Sequence, residues 1–130
     1  QLAAIQAYSG GASVALWLVC ANDLKRGTPA DVFVHSVQAG VDVLRARGMT
    51  VWLNRTCIPF PWADTTAYNQ ALAGITGARL VDVAAGFDAA TMLADGTHPN
   101  DAGHAAIANA YLSAMRRRVW LPLITKPPPT

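Results

Sequence analysis

The sequence predicts an α/β fold built on a parallel sheet, and three observations carry that expectation. Val14-Ala15-Leu16-Trp17-Leu18-Val19 is a continuous apolar run of strand length, the pattern of a strand covered on both faces. Two further short runs, Thr50 to Leu53 and Leu80 to Val83, each follow a stretch with helical periodicity. Alternation of this kind implies parallel strands joined by right-handed crossovers. The composition agrees, since 52% of the residues are hydrophobic and only 14% charged, too apolar for a disordered chain.

The first strand runs into Cys20-Ala21-Asn22-Asp23, so Asn22 falls just past its carboxyl end. In open α/β sheets that edge is where ligands bind. An Asn amide there can donate to a developing oxyanion, or it can simply open a loop. Thr28-Pro29-Ala30-Asp31 has the makings of a helix start, with Thr28 as cap, Pro29 in the first turn and Asp31 at the positive end. That helix is expected to reach Arg47, burying Phe33, Val37, Val41 and Leu44, with Gly48 as its stop. His35 falls on its surface. After the strand at Thr50 to Leu53, Pro59, Pro61 and Trp62 make an irregular segment that either borders a cleft or packs a loop. Asp64 or Thr65 can cap a second helix with Tyr68, Leu72 and Ile75 on one face and Gly77 at its end. Beyond the strand at Leu80 to Val83, Ala84 to Asn100 reads as loop. Asp101 can cap a last helix, Ala102 to about Arg118, that turns Ile107, Ala108, Tyr111, Leu112 and Met115 inward. Lys126 to Thr130, with three consecutive prolines, reads as an extended tail.

The stretch with the most chemistry is Asp95-Gly96-Thr97-His98-Pro99-Asn100, followed by Ala102-Gly103-His104. Gly96 and Pro99 oppose a regular helix, so Asp95 and His98 share a bent loop in which the carboxylate can turn back to the imidazole Nδ1. That contact would fix the tautomer and leave Nε2 able to take a proton. The plainer alternative is an Asx turn with a local hydrogen bond. Asp82, at the end of the third strand, is a competing acid. Asp95, His98, Asp101 and His104 recur every three residues and are all metal-ligand types, but Gly96 and Pro99 break the helical spacing a shared face needs. No metal and no cofactor is therefore expected.

A strand ending in Asn22-Asp23, a Thr28-Pro29 opened helix, and a late Asp-Gly-Thr-His-Pro-Asn with Gly103-His104 before the last helix together resemble the GDSL or SGNH hydrolases from about Val14 to Met115. The resemblance implies a flavodoxin-like, three-layer α/β/α sheet of about five strands. It also implies ester hydrolysis through an acyl-enzyme, with His98 as general base, Asp95 orienting it and Asn22 in the oxyanion hole. On this view residues 1–125 form an SGNH-type domain, its C-terminal portion, and 126–130 a tail. There are two departures. Cys20 stands where the family usually has Gly, and neither the Gly-Asp-Ser nucleophile block nor the Gly block after it is present.

The serines do not fill that gap. The chain has only Ser9, Ser13, Ser36 and Ser113. Ser9 and Ser13 precede a strand of about 20 Å at roughly 3.3 Å per residue, at the far edge from Asn22. Ser36 lies inside one helix and Ser113 late in another. The nucleophile is thus unidentified, and two readings stay open. In the first, the serine and the first two strands belong to a companion polypeptide or an N-terminal segment that covers the apolar edge of the Asn22 strand. In the second, the chain is a structural or carbohydrate-binding module that keeps the fold without chemistry.

At 130 residues the chain can bury about two-thirds of its unfolded surface in one core. No apolar run reaches transmembrane length. The net charge of +2 and the lone cluster Arg116-Arg117-Arg118, suited to a helix's last turn, give no reason to expect nucleic acid; a small-molecule ester is the partner the resemblance implies. Cys20 and Cys57 follow the first and second strands and could approach bonding distance if those strands are neighbours. A disulfide would suit a secreted or cell-envelope protein, whereas two buried thiols are the other reading. Gln1 in place of Met suggests that something upstream was removed, and Asn54-Arg55-Thr56 matches a glycosylation triplet.

Overall fold

The computed structural model describes residues 2–8 and 10–124, with the side chains of 3–8 and 10–117. Ser9 and the proline-rich tail lie outside the described residues. The described elements are α1 (Leu2–Ala7), β1 (Val14–Trp17), α2 (Ala21–Lys25), α3 (Ala30–Ala46), β2 (Thr50–Asn54), α4 (Thr66–Ala73), β3 (Arg79–Val81), α5 (Ala89–Met92) and α6 (Asp101–Ile124). The strands form a parallel sheet in the order β1-β2-β3, with Val14 beside Thr50, Trp17 beside Leu53, and Trp52 beside Arg79. Steps of one strand in a constant direction, made by right-handed crossovers, put α3 and α4 on the same face. Their mutual packing includes Phe33 stacked on Tyr68 at 4.2 Å between centroids. Helix α6 returns over the other face and reaches β1 through Tyr111, whose hydroxyl donates to the Trp17 carbonyl at 2.8 Å.

The core follows from the helix periodicity. Phe33, Val37, Val41 and Leu44 are all buried on α3, against Val51 and Leu53 of β2. Gly40 joins that stripe because the Trp17 ring lies on it: a Cβ there would meet the ring at 2.5 Å. The helix stops where expected, with Gly48 at φ 79° and the Met49 amide donating back to the Leu44 carbonyl. Arg47, just past that end, donates to the Ile5, Gln6 and Tyr8 carbonyls, a cation at the C-terminus of α1.

Several boundaries differ from the sequence reading, each for a local reason. Pro29, not Thr28, precedes α3, and no side chain caps it. Helix α4 ends at Ala73 because Gly74 and Ile75 close the turn with short bonds to Ala71 and Leu72, four residues before Gly77. Asn100, not Asp101, caps α6, its side-chain oxygen accepting from the Gly103 amide at 3.0 Å. No glycine follows Arg118, and α6 continues to Ile124, so the three arginines lie inside the helix rather than in its last turn. The helices α1, α2 and α5 are too short to give a periodic signal. The run at Val14 to Val19 is not covered on both faces: β1 has only four residues and is an edge strand, with Leu16 60% exposed. Ala108 and Leu112 of α6, expected inside, are exposed beside it because the sheet stops there. Among the described residues no helix is long and apolar enough to cross a membrane.

Asn54 ends β2 and is fully buried, at 0% exposure. Its Oδ1 accepts from the Val19 amide at 2.8 Å, while Nδ2 donates to the Val19 carbonyl at 3.2 Å and the Thr56 carbonyl at 3.0 Å. Such burial is incompatible with glycosylation of the folded chain at Asn54-Arg55-Thr56. Replacing Asn54 with Ala strands three backbone groups inside the protein, so Asn54→Ala is expected to cost about 3 kcal/mol. Urea denaturation should show a lowered midpoint at unchanged slope; an unaltered midpoint would mean that these bonds contribute nothing net.

Candidate active site

Asp95 and His98 sit in the loop between α5 and α6. The loop is pinched by a bridge between Leu93 and Pro99, with the Ala94 amide donating to the His98 carbonyl at 2.8 Å. Gly96 takes φ 77°, the left-handed turn that brings the chain back on itself. The two oxygens of Asp95 have separate partners. Oδ1 accepts from the backbone amides of Thr97 at 3.0 Å and His98 at 2.8 Å, forming the Asx turn; Oδ2 meets His98 Nδ1 at 2.7 Å. Turn formation and orientation of the imidazole are therefore achieved together. The backbone amide of His98, then its ring, then the Thr97 amide hold the Asp95 carboxyl far below the usual carboxylate range.

Asn22 lies in the first turn of α2, directly after the β1 end that Asn54 holds. Its side-chain amide has no hydrogen-bond partner among the described residues. Asn22 and His98 line the same cleft, of about 220 Å³, together with Leu18, Val19, Ile58 and Phe60. Cys20 and Cys57 are joined, with an S–S distance of 2.06 Å, and this bond ties the start of α2 to the loop after β2. The competing acid Asp82 is occupied elsewhere: Thr56 Oγ1 donates to it at 2.7 Å, and the Ala84 and Ala85 amides do so at 3.1 and 3.2 Å. That Thr56 bond leads the contacts that lower its pKa.

None of the described serines lines the cleft. Ser36 donates to the Val32 carbonyl one turn back in α3, Ser13 precedes β1, and Ser113 is exposed on α6. His104 is exposed on α6 and His35 on α3. Asp101 and His104 stand on α6 rather than in the Asp95 loop, and among the described residues no three metal-type side chains converge.

Two supports of the site have roles that the sequence does not assign, where Asn54 reads only as part of a glycosylation triplet and Trp62 as bordering a cleft or packing a loop. Asn54 carried the signal of a polar residue closing an otherwise apolar strand. Trp62 stacks on Phe60 at 5.0 Å, lies 5.7 Å from the Lys25 ammonium of α2, and donates from its indole nitrogen to the Gly96 carbonyl at 2.9 Å. Trp62 thus touches both the segment carrying Asn22 and the loop carrying His98, a role that only the folded chain discloses.

The profile of the GDSL-like lipase/acylhydrolase family matches residues 1–106. The chain belongs to that family. Its fold is the SGNH-type α/β fold, as two solved structures illustrate. One is the psychrotrophic esterase EstA of a Pseudoalteromonas species, inhibited by monoethylphosphonate, at 20% identity and TM-score 0.64. The other is a candidate acylhydrolase of Bacteroides fragilis, at 18% identity and TM-score 0.61. Each alignment covers 82% of this chain, but this GDSL-like chain spans only 63% and 62% of the two structures. No curated protein sequence matches it.

The lowered Asp95 pKa has a testable sign. A carboxylate depressed in the folded state contributes stability that is present above its unfolded value, about 3.9, and is lost as pH falls through the folded value. The loop should therefore keep the Asp95-His98 contact at pH 5 and lose Asp95's contribution only well below pH 4. NMR titration of the Asp95 carboxyl carbon reads this directly, and a midpoint at or above 4 would contradict it.

Proposed function

We propose that this chain supplies the base and the oxyanion donor of a serine ester hydrolase, with the nucleophilic serine carried by a segment outside these residues. One observation carries the reading: an imidazole oriented by a carboxylate at 2.7 Å lines the same cleft as an unengaged Asn amide. In the proposed reaction the serine oxygen attacks the ester carbonyl carbon and its proton passes to His98 Nε2. Asp95 stabilises the imidazolium, and Asn22 Nδ2 donates to the oxyanion that develops on the carbonyl. Collapse breaks the ester bond, and the departing alcohol takes the proton from His98. Water then attacks the acyl-enzyme by the same route, giving its proton to His98, which returns it to the serine. Val19, Ile58 and Phe60 make the cleft wall apolar, suiting an uncharged acyl group.

The same reading includes the covering of β1. Val14, Leu16 and Leu18 are exposed along it. Apolar grooves of about 440 and 460 Å³ flank the strand, one lined by Ile5, Tyr8 and Met49, the other by Ile107, Leu112 and Met115. An open edge of this kind is a template for another strand. The missing third of the compared structures supports a companion polypeptide or N-terminal segment that adds strands here and brings the serine to His98. The disulfide favours an oxidising compartment, secreted or cell-envelope.

In the native assembly, His98→Ala should lower kcat about 10²–10⁴-fold, the range of a lost general base. Asn22→Ala should lower it about 10²–10³-fold with little change in KM. Equal turnover in the His98 variant would end the proposal. A serine-reactive phosphonate should label one serine on the companion segment. If it labels no polypeptide, the chain is instead a binding module that retains the fold.

A further inference from the structure

Cys20 is the only non-glycine residue with positive φ among the described residues, at φ 129° and ψ −61°. L side chains avoid this region because Cβ crowds the backbone, whereas glycine occupies it freely. The strained residue stands where the chain leaves β1 and enters α2, two positions before Asn22. Three sets of contacts hold it there. Its side chain, in a residue 3% exposed, is bonded to Cys57, itself 1% exposed, in the segment following β2. The preceding residue, Val19, is held at both its amide and its carbonyl by Asn54, whose Nδ2 also lies 3.6 Å from Cys20 Sγ. The Cys20 carbonyl in turn accepts from the Asp23 and Leu24 amides at 3.1 and 3.0 Å, so the direction of this peptide sets the direction of the first turn of α2. Strained backbone persists only where its surroundings over-determine it.

We infer that Cys20 is a positioning residue: its bond to Cys57 holds a turn that a free cysteine would relax, and the held turn aims the Asn22 amide into the cleft it shares with His98. This rests on the oxyanion role proposed for Asn22. On this inference the cross-link serves the alignment of the site as well as the stability of the fold, and reduction would misalign Asn22 without touching the Asp95-His98 pair.

Two double variants of the complete native assembly separate alignment from stability, because both lack the cross-link. In Cys20→Ala/Cys57→Ala the turn keeps a Cβ and loses its restraint; kcat should fall about 10–100-fold, the effect of a misplaced donor, with KM little changed. In Cys20→Gly/Cys57→Ala the turn adopts positive φ without strain, and most of kcat should return. Equal losses in the two variants, or undiminished kcat in the first, would overturn the inference. Hydrogen exchange of the peptide covering residues 19–26 provides a readout independent of catalysis. Exchange should accelerate in the Ala variant and stay near the unsubstituted rate in the Gly variant; identical exchange in both would also overturn it. If the unsubstituted assembly hydrolyses no ester, the ester hydrolase reading fails, while the exchange comparison still decides the role of Cys20 in the turn.

Discussion

The side chain of Asn54 does the work of a missing piece of backbone. Parallel pairing of β1 with β2 ends at Trp17 and Leu53, after which the two chains must part if anything is to open between them. Val19 would then bury an amide and a carbonyl with no partner. The Asn54 amide group supplies both, one donor and one acceptor in the geometry of a peptide, and its remaining donor closes the turn at Thr56. The sheet therefore ends without unsatisfied groups at the edge where the cleft forms, and Cys20, Asn22, Cys57 and Ile58 all take their places from that parting of strands.

The second constraint is an asymmetry across the sheet. Strand β2 is buried over Val51 to Asn54, between α3 and α6, whereas β1 has apolar side chains exposed at its open edge. The site lies at the corner where the well-covered centre meets this open edge. Its two halves differ accordingly. The Asp95-His98 pair is a local device, built within four residues by an Asx turn and a glycine at positive φ. The Asn22 half is a long-range device, assembled by Asn54 and the disulfide from segments more than thirty residues apart. Trp62 ties the two together through Gly96 and Lys25.

That difference explains what could be read in advance. The Asp-x-x-His contact was legible as one of two readings, beside a plain Asx turn, because both depend on four consecutive residues; the structure shows the two together. The buried stripe Phe33, Val37, Val41, Leu44 was legible because helical period is a property of consecutive residues. The apolar run at Val14 to Val19 misled as to its coverage, since an apolar strand reads the same whether or not its neighbour is present. Ala108 and Leu112 misled for the same reason. The α6 cap shifted from Asp101 to Asn100 because adjacent Asn and Asp are equivalent as caps until the loop before them fixes which one has non-helical backbone.

The sequence by itself determined the strand-helix alternation, the order of the two motif blocks and the bent Asp95-His98 loop, since these depend on residues close along the chain. Only the tertiary structure decided that Asn22 and His98 line one cleft, that a glycosylation-like Asn is an internal strut, and that a cysteine occupies a turn suited to glycine. Those outcomes depend on which strands are neighbours and where their pairing stops, and spacing along a chain does not encode distance across a sheet.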